Sequence, residues 1–275
     1  MANRSSNVSI RPVTPGELEQ MKPERNFDAF QRLVEILRME CPWDRQQTHD
    51  SIKENLLEEA YEVVDAIDKH SMGELQRELG DLLLHVLFQS LLASESGSFT
   101  IQDVIESAME KLIRRHPHVF STIQLDNESD VARNWERIKM TEGRESVLDG
   151  VPEILPSLIR AYRMQEKASN IGFDWPETAG AIGSAREEFD EWCDSLKRES
   201  TDRQTEELGD LLFSIVNVAR KKGLSPEEAM RKANRKFFNR FRYIETRLKS
   251  RESEVQRATL DEMDRLWDEA KKNGL

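Results

Sequence analysis

Cysteine is scarce in this chain: Cys41 and Cys193 are the only two among 275 residues. They lie far apart in metal-ligand terms, which argues against a disulfide scaffold or thiolate zinc site and suits a reducing, cytoplasmic compartment. Long apolar runs are missing too. The most apolar stretch, Leu82 to Ala93, is interrupted by His85, Gln89 and Ser90 and is too short to span a bilayer. Met1 to Arg25 is polar, with Pro12, Pro15 and Pro23, and shows no apolar signal core. Positive charge is in deficit, with 40 Lys and Arg against 52 Asp and Glu, a net charge of −12. Such a chain is a poor general binder of nucleic acid or anionic membrane, so neither is expected as a partner. Strand-type alternation is also lacking.

What remains is helical periodicity. Phe27, Phe30, Leu33, Val34 and Leu37 recur on one face of a helix ending near Glu40, before Cys41-Pro-Trp-Asp44. Helices are expected near 51–69, 73–94, 100–115 and 128–141. The segment 143–156 breaks the period with Gly143, Gly150, Pro152 and Pro156 and reads as a linker. Helices follow near 154–168, 178–198, 202–222, 226–249 and 252–273, with Gly223 and Pro226 marking a stop and a restart. The expected organisation is an all-α chain of two tandem helical modules: a tail over 1–25, a module over 26–142, the linker, and a second module over 157–275.

The tandem is visible in the acids. Glu78-Leu-Gly-Asp81-Leu-Leu returns 129 residues later as Glu207-Leu-Gly-Asp210-Leu-Leu. Upstream, Glu58-Glu59-Ala-Tyr-Glu62 returns at the same interval as Glu187-Glu188-Phe-Asp-Glu191. Residues three apart share a helix face. Each half therefore offers two acidic pairs: Glu59/Glu62 with Glu78/Asp81, and Glu188/Glu191 with Glu207/Asp210. A solvated acidic face is the ordinary explanation of one such motif. The repeat, the apolar residues that follow Asp81 and Asp210, and a mid-helix Gly80 and Gly209 point further. Such a glycine costs about 1 kcal/mol against Ala, which suggests tight helix packing or a close backbone approach there. Four carboxylates brought together repel unless a cation sits among them, and oxygen ligands suit a hard divalent ion such as Mg²⁺, with Mn²⁺ as a substitute. A di-iron site would require Glu-x-x-His; His85 is matched by Ser214, so a shared histidine ligand is not expected. His116 and His118 flank Pro117 and belong to a local turn.

A basic and aromatic set also repeats. Lys111 and Arg115 correspond to Lys236 and Arg240; Trp135 and Lys139 correspond to Trp267 and Lys271, each pair four apart. Such residues could hold a base and a phosphate chain, although the tryptophans would serve equally as packing anchors.

Taken together, Cys41-Pro-Trp-Asp-Arg-Gln-Gln-Thr-His49, both acidic sets, Arg115-His-Pro-His-Val-Phe120 and Gly172-Phe-Asp-Trp175 resemble the two-domain MazG family of nucleoside triphosphate pyrophosphohydrolases. The resemblance implies an all-α fold assembling as a homodimer and a Mg²⁺-dependent hydrolysis of NTPs and dNTPs to monophosphate and pyrophosphate, with broad base tolerance. It implies Glu188, Glu191, Glu207 and Asp210 as metal ligands; Glu187, a carboxylate outside that set, could act as the base or orient the attacking water. Lys236, Arg240, Trp267 and Lys271 would bind nucleotide. The first half keeps matching positions: Glu59, Glu62, Glu78, Asp81, Lys111, Arg115, Trp135 and Lys139. Two other readings stand beside this one: a non-catalytic nucleotide-sensing or partner-binding scaffold with a structural metal, and a narrower dUTP-, dCTP- or phosphoribosyl-ATP-type pyrophosphatase.

Overall fold

A computed structural model describes residues 25–121, 145–198, 200–249 and 258–275, together with 130, 131, 134, 135, 137, 138, 142 and 143. Among these residues there is no strand, and no helix is long and apolar enough to cross a membrane. The chain divides into two compact units, Met1–Ile123 and Gln124–Leu275.

The first unit contains α1 (Phe27–Glu40), a short 3₁₀ turn (Asp44–Gln46), α2 (Lys53–Asp68), α3 (Met72–Glu95), α4 (Ile101–Arg115) and the single turn α5 (Pro117–Phe120). Its starts are chemically marked. The Asn26 side chain accepts from the Ala29 amide at 2.9 Å, and Thr100 with Asp103 forms a reciprocal capping box before α4. α3 is central, packed against α1, α2 and α4. Its C-terminal half joins α1 in a core of Val34, Ile52, Leu87, Phe88, Leu91 and Leu92, with Leu84 against it. Arg38 ties this end together. Its guanidinium donates to both Glu95 oxygens at 2.8 Å and to the carbonyls of Asp44 and Gln47.

The second unit contains α6 (Ser157–Asn170), α7 (Thr178–Arg198), α8 (Thr201–Lys221), α9 (Pro226–Lys249) and α10 (Leu260–Lys272). α7 pairs with α8; α6 packs on α8 and α9; α9 packs on α8 and pairs with α10. Ile244, Leu248 and Leu266 form a core with Trp267 packed against it. Gly223, at φ +66°, ends α8 in the left-handed conformation, and Pro226 opens α9.

Two sequence expectations need correction. The last helix begins at Leu260, since Ala258 and Thr259 are non-helical and the Thr259 side chain accepts from the Glu262 amide; residues 252–257 of the helix expected near 252–273 lie outside the described residues. A threonine before an acidic turn is a start signal that continuous charged periodicity obscured. Gly80 and Gly209 make no close approach within the chain, because a Cβ at either would meet nothing within 4 Å. Of the helix expected near 128–141, only six residues are described, and all six are helical.

Candidate active site

Antiparallel helix pairs bring the acids together. In the first unit α2 carries Glu59 and Glu62, and α3 carries Glu78 and Asp81. In the second, α7 carries Glu188 and Glu191, and α8 carries Glu207 and Asp210. The structure gathers three of each four: one oxygen from each of Glu59, Glu78 and Asp81 lies within 4.8 Å of the others, and the same holds for Glu188, Glu207 and Asp210. Glu62 stands at the margin, exposed and hydrogen-bonded to Glu78. Glu191 is exposed, and so is Glu187, which adjoins Glu188.

The electrostatics agree with the crowding. Burial, then the charges of Asp81, Glu78 and Glu58, pushes the Glu59 carboxyl above its ordinary range. Burial, then Asp210, Glu191, Glu207 and Glu187, does the same to Glu188. Glu207 is buried, and Arg203 one turn earlier on α8 pairs with it. In the first unit Arg77 approaches Glu78 only to 4.0 Å. An all-oxygen donor set with raised carboxyls fits a hard divalent cation. His85 is in neither cluster; burial, against the pull of Asp81, lowers its imidazole pKa. His116 and His118 form a local ring pair 5.6 Å apart.

The basic set is only partly assembled. Arg240 lies 5.3 Å from the Trp267 ring centroid, and its Nε donates to the Leu275 carbonyl at 2.8 Å. Phe237 meets the same ring at 5.4 Å, so Trp267 is engaged as a packing anchor. Lys271 pairs with Asp268 at 2.9 Å. Lys236 is exposed on α9. Lys111 and Arg115 lie on α4 in the first unit, whereas Trp135 falls in the second. Lys139 lies outside the described residues.

Sequence reasoning missed Arg203, although its position four residues before Glu207 is a readable ion-pair spacing. It also missed a network around Asp174. That carboxylate accepts from Arg220 at 2.6 Å and from Lys221 at 3.1 Å. Burial alone would raise the Asp174 pKa; these two cations outweigh it and hold the carboxyl below its usual range.

Paired helices gather carboxylates that could hold a metal ion, and in the second unit the cation-rich α9 packs on one helix of the pair. A family model, the MazG nucleotide pyrophosphohydrolase domain, matches residues 47–120 and 181–244, the spans that hold both acidic clusters. The chain is similar to the nucleoside triphosphate pyrophosphohydrolase of Escherichia coli (strain K12), 40% identical over 238 residues, covering 84% of this chain and 90% of that one. It is similar to the nucleoside triphosphate pyrophosphohydrolase/pyrophosphatase MazG of Thermotoga maritima, 41% identical over 251 residues, covering 89% and 95%. The YabN protein of Bacillus subtilis is 40% identical over 275 residues, 96% of this chain and 56% of that one. The chain belongs to the MazG family, and it is an enzyme of the class that hydrolyses nucleotide anhydride bonds.

Proposed function

We propose that the second unit hydrolyses NTPs and dNTPs to the monophosphate and pyrophosphate, with Mg²⁺ and little preference for the base. The observation that carries this reading is the convergence of Glu188, Glu207 and Asp210 on one point in the unit that also carries Lys236 and Arg240. Glu188, Glu207 and Asp210 would hold the ion, with Glu191 beside them; Glu59, Glu78 and Asp81 offer the first unit an equivalent set, with Glu62 beside it. When bound, the ion supplies charge neutralisation at the phosphate oxygens and acidifies water.

The chain's own residues do the rest. Glu187, exposed next to the cluster, takes the proton of the attacking water. The water oxygen bonds to the α-phosphorus, the bond from that phosphorus to the bridging oxygen breaks, and pyrophosphate leaves. Lys236 and Arg240 stabilise the charge that grows on the departing group. Arg240 spends its Nε on Leu275 and one face on Trp267, which leaves its two Nη groups for phosphate oxygens. Lys271 completes the cationic edge. In the first unit Lys111 and Arg115 are the matching cations.

A homodimer and a cytoplasmic location belong to the same reading. Leu208, Leu212 and Ile215 form an exposed apolar ridge beside the open Gly209, and Leu79, Leu83 and Val86 repeat it beside Gly80. Such ridges favour a partner surface. The test of function is product identity: incubation with a dNTP and Mg²⁺ should give monophosphate plus pyrophosphate. Diphosphate plus orthophosphate rejects this chemistry, and binding without turnover supports the sensing scaffold instead.

A further inference from the structure

The turn that ends α10 places one main-chain oxygen on a phosphate-type cation. The Gly274 N–H returns to the Lys271 carbonyl at 3.1 Å, and the Leu275 N–H returns to the Ala270 carbonyl at 3.2 Å. Gly274 stands between them at φ +81°. Two such bonds around a left-handed residue form a Schellman motif, with Asn273 as the helix cap. The motif reverses the chain, and the Leu275 main-chain oxygen then accepts from Arg240 Nε, on α9, at 2.8 Å.

Side chains hold this turn against α9. Asn273 Nδ2 donates to the Tyr243 hydroxyl at 3.1 Å, and that hydroxyl donates to Glu269 Oε1 at 2.6 Å. Arg247 donates to the same Glu269 oxygen at 2.6 Å. Ile244, Leu248 and Ala270 are buried between the two helices. Tyr243 lies three residues past Arg240 and shares its face of α9. The turn is therefore anchored beside Arg240 by groups that stand apart from the acidic cluster.

The consequence falls on the Arg240 guanidinium. It is a rigid plane carrying one Nε–H and two Nη groups. The Leu275 oxygen takes the Nε–H, and the Trp267 ring centroid lies 5.3 Å from the guanidinium carbon. Together these contacts restrict both the rotation and the tilt of the fork. A free arginine gives up side-chain freedom when it meets a phosphate, whereas one already oriented gives up less.

We propose that Gly274 and Asn273 are positioning residues for the triphosphate, aiming the two Nη groups of Arg240 through the Leu275 oxygen. The inference rests on the reading above, in which Arg240 contacts the departing phosphates.

A double-mutant cycle on the full chain tests it. A Cβ at Gly274 would meet nothing within 4 Å, so a substitution there acts through the backbone. Gly274→Val places a branched residue at positive φ. It should raise KM for ATP and the inhibition constant of inorganic tripolyphosphate together, each about five- to tenfold. Gly274→Asn, which tolerates the left-handed region, should keep both within about twofold of wild type. Asn273→Ala keeps the glycine but drops the bond to Tyr243 and should raise both about threefold. Arg240→Lys has no Nε–H to orient, so in that background Gly274→Val and Asn273→Ala should each add less than about twofold.

Unchanged constants in the arginine background, or equal rises in both backgrounds, overturn the proposal and leave the pyrophosphohydrolase reading intact. If Gly274→Val does not fold, Asn273→Ala decides by the same comparison. If the wild-type chain turns over no nucleotide, that reading fails separately. Calorimetric binding of tripolyphosphate to the same variants then decides: a loss confined to the arginine background supports the proposal, and no binding or an equal loss in both overturns it.

Discussion

Arg203 pairs with Glu207 one turn further along α8, at the most buried carboxylate of the second cluster. The matching position in the first unit is Glu74. Arg203 thus occupies, in part, the electrostatic role of a cation and competes with one for Glu207. Arg203→Ala should tighten Mn²⁺ binding about three- to tenfold, read by calorimetry. Weaker binding would make Arg203 a support of the site.

Glu207→Gln and Asp210→Asn should each lower turnover by roughly a hundredfold or more while the far-ultraviolet circular dichroism stays helical. Glu78→Gln and Asp81→Asn should leave about half or more of the turnover, because the reading proposed above places catalysis in the second unit. The reverse pattern would move catalysis to the first unit.

Proton and metal compete at both clusters. Glu59 and Glu188 have carboxyls raised in the folded chain. For such a group the stabilising contribution is complete below the unfolded pKa and is lost as pH rises through the folded value. Metal binding should offset that loss. The rise in melting temperature on adding Mg²⁺ to the chelator-treated protein should therefore be larger at about pH 7 than at about pH 5.

Asp174 has the opposite sign. Its folded pKa is depressed, so its contribution is present above the unfolded value and disappears as pH falls through the folded one. Asp174→Asn strips a partner from two cations whose side chains are each 10% exposed. It should cost about 1.5–3 kcal/mol near neutral pH. The gap between wild type and variant in thermal melts should close toward about pH 3.

Arg240→Ala should raise KM for NTPs about tenfold or more and lower kcat, because a charge-assisted phosphate contact is lost. Trp267→Phe, which keeps a ring under Arg240, should do less. Equal losses in steady-state kinetics would restore Trp267 to direct contact with the nucleotide.

The helices and the acidic clusters were legible in the sequence because their information is one-dimensional. Spacings of three on a helix and a constant 129-residue interval survive without any knowledge of packing. The triads were legible as far as face and register, but not that Glu62 and Glu191 would fall to the margin, since that depends on how the paired helices sit against each other. Trp267 illustrates the same limit: its four-residue spacing to Lys271 suggested an open stacking ring, whereas Phe237 and Arg240, from another helix, pack against it. A cavity of about 540 Å³ in the second unit was invisible for a related reason. Gln165, Phe173, Phe213 and Asn217 come from two helices and a turn and follow no period. Gly80 and Gly209 were singled out for a close approach that the chain itself does not make, because the space above them is open within it.

Hydrolysis at the α-phosphorus is the centre of this account, and turnover in oxygen-18 water addresses it most directly. With a dNTP and Mg²⁺, phosphorus NMR should find the label in the monophosphate and none in the pyrophosphate. Label in the pyrophosphate, or formation of diphosphate and labelled orthophosphate, would contradict it.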